Sequence, residues 1–463
     1  MNHKFQGTMP QPASYSIQFA LFAAAVTAIG GFLFGYDTAV INGANTYLKT
    51  HMQLNPAQEG LAAASAILGC IPGAMFAGCL SDRYGRKKLL FVCALLYAAS
   101  ALLSAIPRTF EQFLAARFIG GLGIGASSLV CPVYIAEISP EKWRGRLGSF
   151  FQMGIVIGIF LTLFVNRLIQ GMGDEIWNTT TGWRWMLGLE VVPAMGFLLM
   201  LFTVPESPRW LCQKGREPEA LLVLEKMGGA GHAAAELAAI RAAASSEEGR
   251  FSELFSRDYF RPLLIAALLM AFSQFCGINA IMYYSTRIFE SAGAAKNSAF
   301  QSSVWIGLIN LVFTFVAIAF VDRAGRKPLL VVGSFIQTLA LASVGWMFYT
   351  HRSGIGLLLC ILLFIAAFAM AMGPIPWILC SEIFPNKIRG RAMSAATFTI
   401  WASCYIVAQT FPMLNESRHI GPALTFWIYS AVSLASFVFV LLMVPETKGR
   451  TLEEIGASWR RRP

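Results

Sequence analysis

Asp82-Arg83-Tyr84-Gly85-Arg86-Lys87-Lys88 returns later in the chain as Asp322-Arg323-Ala324-Gly325-Arg326-Lys327. Two unrelated stretches repeat with it. Glu137 followed by Arg144-Gly145-Arg146 returns as Glu382 followed by Arg389-Gly390-Arg391, and Pro205-Glu206-Ser207-Pro208-Arg209 returns as Pro445-Glu446-Thr447-Lys448. The offsets are 240, 245 and 240 residues. A near-constant offset over three motifs marks an internal duplication, one half-chain unit laid down twice. Nearly everything between the motifs is apolar.

The 463 residues are 56% hydrophobic and 13% charged, with mean hydropathy +0.58. Soluble domains hold about 45–50% apolar and about 25% charged residues, so this composition excludes one. Apolar runs recur at 17–34, 61–80, 89–106, 113–135, 147–165, 187–204, 263–275, 304–321, 329–348, 355–372, 392–411 and 423–444. Most approach the roughly 20 residues with which a helix crosses about 30 Å of hydrocarbon. The seventh run extends to about residue 284 once its polar residues face a cavity. The runs are apolar on all sides, which argues against the alternating strands of a barrel. The expected fold is all-α and integral to the membrane, with twelve transmembrane helices in two six-helix bundles. The first run lacks a basic leader and a cleavage site, and reads as a retained helix.

This divides the chain into a cytoplasmic tail (1–16), a first bundle (17–204), a linker (205–260), a second bundle (261–444) and a second tail (445–463). Within the linker, 217–227 and 233–244 have helix-forming composition. They read as short amphipathic helices joining the halves, with a passive linker as the alternative. The net charge of +11 falls largely in loops on one side: Arg83, Arg86, Lys87, Lys88, Lys142, Arg144, Arg146, Arg323, Arg326, Lys327, Lys387, Arg389 and Arg391. That asymmetry places these loops and both termini in the cytoplasm, in an inner or plasma membrane, and leaves no clustered base for nucleic acid. Nine cysteines without paired spacing read as buried thiols. No metal or cofactor motif and no catalytic signature occurs. Gly120, Gly121, Gly123 and Gly125 lie in an apolar run with no preceding strand, where close helix packing is the better reading than a nucleotide loop.

Asp37 stands at the end of the first run, Arg117 lies in the fourth and Glu190 near the start of the sixth. Charged groups at membrane depth are costly and usually face a partner or a water-filled path. Two acids and one arginine suggest a switchable ion pair. Arg117 holds Asp37 ionised, and moving the arginine away favours proton uptake by the desolvated acid. A fixed salt bridge that only orders helices is the alternative.

A second constellation is uncharged: Gln152, Gln274, Asn279 and Asn310, with Trp377 and Trp401. Amides both donate and accept, which matches hydroxyls, and an indole covers an apolar ring face while donating through its N–H. A neutral sugar fits that set, and helix–helix hydrogen bonding is the alternative for any single amide. Gly373-Pro374-Ile375-Pro376 removes two amide donors from the tenth run and breaks the helix. Broken helices near the midplane accompany sites and gates in transporters, with a plain structural kink as the alternative.

The chain resembles the sugar porters of the major facilitator superfamily, in a pattern close to bacterial xylose–proton and galactose–proton symporters. The resemblance spans about residues 17–455. It rests on Gly31-Phe32-Leu33-Phe34-Gly35-Tyr36-Asp37, the 82–88 motif, Pro205-Glu206-Ser207-Pro208-Arg209-Trp210-Leu211, the stretch from Gln274 to Tyr284, Gly373-Pro374-Ile375-Pro376-Trp377 and Pro445-Glu446-Thr447-Lys448-Gly449. It implies alternating access and import of a monosaccharide, pentose or hexose, held between the bundles of a monomer. Asp37, Arg117 and Glu190 match proton-coupling positions, and facilitative relatives usually have asparagine where Asp37 stands. The two tryptophans and four amides match sugar contacts. Tyr283 and Tyr284 match an extracellular-side gate, to which Pro374 and Pro376 add their break. Asp82, Arg83, Arg86, Glu137, Arg144, Glu382 and Arg391, with the copies Asp322 and Arg323, match a cytoplasmic charge network that latches the outward-facing state. One departure stands out: relatives often carry two successive glutamines where this chain has Ser273-Gln274. That leaves polyols, inositols and atypical pentoses open. A facilitative uniporter and a non-transporting sugar sensor are the competing readings.

Overall fold

A computed structural model describes residues 17–140, 143–244, 251–352 and 354–448. The tails at 1–16 and 449–463 and the linker segment 245–250 lie outside the described residues. The first half contains α1 (Ile17–Met52), α2 (Pro56–Tyr84), α3 (Arg86–Ala105), α4 (Phe110–Ile138), α5 (Arg144–Gln170) and α6 (Glu175–Thr203). The linker contains α7 (Pro208–Gln213) and α8 (Glu217–Ala244). The second half contains α9 (Arg257–Phe275), α10 (Ile278–Ser291), α11 (Lys296–Ala324), α12 (Arg326–Tyr349), α13 (Ile355–Met370), α14 (Ile375–Glu382), α15 (Asn386–Asn415) and α16 (Gly421–Met443). No strand occurs among the described residues.

Among the described residues, eleven helical spans are long and apolar enough to cross a membrane. α9 with α10 forms one of them, interrupted at Gly277, and α13 with α14 forms another. The twelfth expected crossing is α15. Its 30 residues reach about 45 Å, but its serines, threonines and Gln409 dilute the apolar signal. The expected break in the tenth run lies between α13 and α14, at Gly373-Pro374.

Helices approach closely where a side chain is missing. A Cβ on Gly35 of α1 would stand 2.0 Å from the Ile155 carbonyl oxygen of α5, and one on Gly121 of α4 would stand 1.9 Å from the Ala66 carbonyl oxygen of α2. The glycine run in α4 is therefore a packing surface, as its sequence context implies.

The three repeated motifs converge. Arg86 pairs with Glu137 at 3.0 Å and with Asp82 at 2.9 Å. Glu137 also accepts from the Ser207 hydroxyl at 2.5 Å, and Glu206 accepts from the backbone N–H of Arg86 and Lys87 at 3.0 and 3.1 Å. In the copy, Arg326 pairs with Glu382 at 2.9 Å. Thr447 donates to Glu382 at 2.5 Å, and Glu446 accepts from the N–H of Arg326 and Lys327 at 3.1 and 3.0 Å. Glu206 and Glu446 thus satisfy orphan N–H groups at the starts of α3 and α12, where a carboxylate also favours the helix dipole. The backbone turns at Gly85 (φ 107°) and Gly325 (φ 91°), a region only glycine enters without strain.

The described part of the linker is folded. α8 contains Gly229 at φ 78°, and Arg241 pairs with Glu217. A straight helix would hold those residues about 36 Å apart, so α8 doubles back at Gly229 as two helical arms. Its Leu224, Met227 and Ile240 bury with Trp210 and Leu211, and Phe19 of α1 packs on them.

Candidate functional site

Odd crossings start on the side that carries the 82–88 motif, called the motif side here; the other side is distal. Asp37, Arg117 and Glu190 are each 2% exposed or less and come from α1, α4 and α6. Arg117 forks onto one residue: Nη1 pairs with the Asp37 carboxylate, and Nη2 donates to the Asp37 carbonyl oxygen at 3.1 Å. The Glu190 carboxyl stands against the Asp37 carboxyl. Glu190 lies where the helical ladder of α6 is interrupted. Pro193 lacks the N–H that would bond the Leu189 carbonyl. Asp37 Oδ2, Glu190 Oε1 and Arg117 Nε are buried without a hydrogen-bond partner among the described residues. With both acids ionised the group holds one uncompensated negative charge in a dry interior, which one proton neutralises.

Asp37 and Arg117 border a cavity of about 10 Å³, room for roughly one water. Tyr283 and Trp401 of the second half line it too, with Thr38, Cys70 and Ile124 of the first. Trp401 lies 5.7 Å from the Phe34 ring, and its Nε1–H is buried without a partner.

The amides divide. Asn279 donates to Gln274, and Gln274 donates to the Ser273 hydroxyl at 3.0 Å. The hydroxyl donates in turn to the Met270 carbonyl at 2.7 Å. Ser273 therefore steers the Gln274 amide. Asn310 is buried in α11 and Gln152 half-buried in α5, neither with a hydrogen-bond partner among the described residues. Trp377, at 37% exposure, lies outside the small cavity. Pro374 and Pro376 sit at the start of α14. Tyr283 contacts Cys404 Sγ at 3.8 Å, and Tyr284 donates to the Ala408 carbonyl at 2.9 Å, so both tyrosines rest against α15.

On the motif side, the Arg86–Glu137 and Arg326–Glu382 pairs each close within one half. Arg144 donates to the Ala136 carbonyl at 3.1 Å, Arg83 lies over the Tyr84 ring, and the Arg323 carbonyl accepts from Lys448 at 2.6 Å. Arg391 has a partner. The Asp322 side chain lies outside those described. Distal bonds cross between halves instead. Asn42 of α1 donates to the Met282 carbonyl at 2.7 Å and to Ser285 at 2.6 Å. It accepts from the Thr286 N–H at 3.2 Å and the Thr286 hydroxyl at 2.6 Å. Lys49 pairs with Glu59 at 2.7 Å and with Glu416, while Arg287 lies 3.5 Å from Glu59 and 2.7 Å from Glu416. Sequence reasoning missed this cluster because its members belong to no repeated motif. The signal available was four opposite charges at the distal ends of apolar runs.

The model of the sugar (and other) transporter family matches residues 23–459. The arabinose-proton symporter of Bacillus subtilis (strain 168) is 40% identical over 458 residues, covering 98% of each chain. The D-xylose-proton symporter of Escherichia coli (strain K12) is 38% identical over 479 residues, covering 96% of each. Among solved structures, the xylose transporter XylE from E. coli in a partially occluded inward open conformation superposes with TM-score 0.84 at 36% identity. That match covers 94% of this chain and 100% of the other.

Proposed function

The chain belongs to the sugar (and other) transporter family, and from that premise we propose that it is a proton-coupled symporter importing a monosaccharide by alternating access. The observation that carries this reading is the buried Arg117–Asp37 pair with Glu190 against it, at the rim of a cavity completed by Tyr283 and Trp401. A family member that only equilibrated sugar would have no need to bury two acids and one arginine there. The relatives named for arabinose–proton and xylose–proton symport support the same coupling.

In this reading Asp37 and Glu190 share one proton beside Arg117. Withdrawing the guanidinium leaves the carboxylate without its counter-charge, so proton uptake and the change of state favour each other. Gln152, Gln274, Asn279, Asn310, Trp377 and Trp401 contact the sugar. Of these, Trp401 alone borders the small cavity, so the sugar would join the cavity to the other contacts as the halves move apart. Tyr283 and Tyr284 ride on α10 as the distal gate, and Pro374 and Pro376 let α14 move against α13. The residues of the motif-side network, Asp82, Arg83, Arg86, Glu137, Arg144, Asp322, Arg323, Glu382 and Arg391, balance the opposite closure. The bundles at 17–204 and 261–444 rock about this site, joined by the linker at 205–260. In the same reading the motif side and both termini face the cytoplasm, which the basic loops support, and the protein works as a monomer in the lipid bilayer of the inner membrane.

Purified protein in liposomes, acidified outside, is expected to accumulate D-xylose or L-arabinose above equilibrium and to stop when a protonophore is added. Asp37→Asn is expected to keep counterflow exchange while losing accumulation. Wild-type uptake that never exceeds equilibrium would make the protein a uniporter instead.

A further inference from the structure

Ser100 and Ser104 lie one turn apart on one face of α3, each 1% exposed, and neither hydroxyl has a hydrogen-bond partner among the described residues. Buried helical serines and threonines ordinarily donate to a carbonyl three or four residues back. Thr27, Thr162, Ser334 and Ser433 do so here, at 2.6–3.0 Å. Ser100 is instead turned towards Gly120 of α4. A Cβ on Gly120 would stand 2.4 Å from Ser100 Oγ and 3.8 Å from Asp37 Oδ1. The sum of those distances caps the separation of the two oxygens at 6.2 Å, within reach of one bridging water. The missing Gly120 side chain thus leaves room for the Ser100 hydroxyl to sit against α4 on the side that faces the acid, one turn along α4 from Arg117.

We propose that Ser100, with Ser104 behind it, is the proton's path to the Asp37–Glu190 pair from the distal side, separate from the cavity bordered by Tyr283 and Trp401. The proposal rests on the proton-coupled reading above and assigns a relay residue to it. The hydroxyl passes its own proton to the bridging water, which passes one of its own to the Asp37 carboxylate, as the serine takes one from a hydronium on its distal side. One O–H bond forms at the acid, one breaks and re-forms at the water and at the serine, the hydronium is left as water, and a single proton has moved. Arg117 faces the acids from α4, Tyr36 stands by Glu190, and Tyr97 and Cys70 stand by Asp37. None of these is a hydroxyl left without a partner on α3.

The test compares Ser100→Ala, Ser100→Thr and Gly120→Ala with wild type in liposomes, using D-xylose and L-arabinose as probes. Counterflow exchange reports folding and sugar handling; accumulation under an imposed pH gradient, followed from external pH 5 to 8, reports proton delivery. Ser100→Ala is expected to keep counterflow within about twofold while slowing proton-driven uptake about tenfold and shifting its pH profile. Ser100→Thr restores both, and Gly120→Ala, whose methyl crowds the Ser100 hydroxyl away but keeps the serine, reproduces the loss. Ser100→Ala with a wild-type rate and pH profile overturns the path. A parallel loss of counterflow in Ser100→Ala, unrescued by threonine, overturns it in favour of a packing role. Failure of the underlying reading is seen separately, as wild-type protein that does not accumulate sugar or Asp37→Asn that still does.

Discussion

Glu59 of α2 lies 3.5 Å from Arg287 of α10, across the boundary between the two halves. Glu59 is nearly buried, with its other contacts to Lys49 at 2.7 Å and to the Asn45 amide at 3.3 Å. Two positive and two negative groups therefore tie the distal ends together, beside the Asn42 amide bonded into α10. Glu59→Gln leaves Lys49 and Arg287 facing one another with one fewer counter-charge. It should disfavour the closed state by about 1–2 kcal/mol, roughly a tenfold shift between states. Hydrogen–deuterium exchange of residues 54–62 and 284–290 should speed up in the variant, and unchanged exchange would remove the cluster as a tie.

Gln274 receives the Asn279 amide and donates to Ser273, so its carboxamide is oriented before any ligand arrives. Gln274→Ala should raise the half-saturating sugar concentration in counterflow about tenfold, the worth of one or two neutral hydrogen bonds. The maximal exchange rate should change little. Ser273→Ala removes only the steering contact and should have a smaller effect in the same direction. Equal affinities for all three proteins would exclude Gln274 as a contact.

Gly35→Ala sets a methyl 2.0 Å from the Ile155 carbonyl oxygen, two residues before Asp37. Overpacking of this kind should cost about 2 kcal/mol or more, read as a lower Tm of the purified protein. Gly78→Ala is the control: a Cβ there meets nothing within 4 Å, and the change should stay within about 0.5 kcal/mol.

Burial pushes the Glu446 carboxyl up, but backbone N–H groups of Lys448, Arg326, Lys327 and Thr447 outweigh it and hold it below its ordinary value. A depressed carboxyl contributes stability that is present above the ordinary value of about 4.3 and is lost as pH falls through the folded one. Glu446→Gln should therefore lower stability by about 1 kcal/mol at pH 7, as the loss of a charged helix cap does. The gap in Tm between wild type and variant should close as the pH drops below about 4. A gap independent of pH would mean the cap works without its charge.

Much of the architecture was legible in the chain. The apolar runs at 17–34 through 423–444 all fall in helices, and the doubled motifs meet at equivalent nodes in the two halves. Periodic apolarity is a local property that a bilayer leaves little freedom to override. α15 carries a weaker apolar signal because of its serines, threonines and Gln409, though Thr397 and Thr399 donate back to their own helix's carbonyls. The linker helices were legible as two pieces, while their fold-back at Gly229 was visible only in the pairing of Arg241 with Glu217.

The sequence by itself determined the number and apolar length of the crossings, the duplication, the sidedness of the basic loops and the presence of Asp37, Arg117 and Glu190 at membrane depth. These depend on residue type and spacing along one chain. Tertiary structure alone decided which of those groups meet: that Arg117 forks onto Asp37, that Trp401 and Tyr283 close over the same small cavity, and that Lys49, Glu59, Arg287 and Glu416 join the distal ends. It also decided that Ser100 reaches towards Asp37 past Gly120. Such contacts join residues up to 367 positions apart, as in Lys49 with Glu416, and depend on how helices pack. A periodic pattern reports which face of a helix is apolar, and carries no record of which neighbour that face will meet.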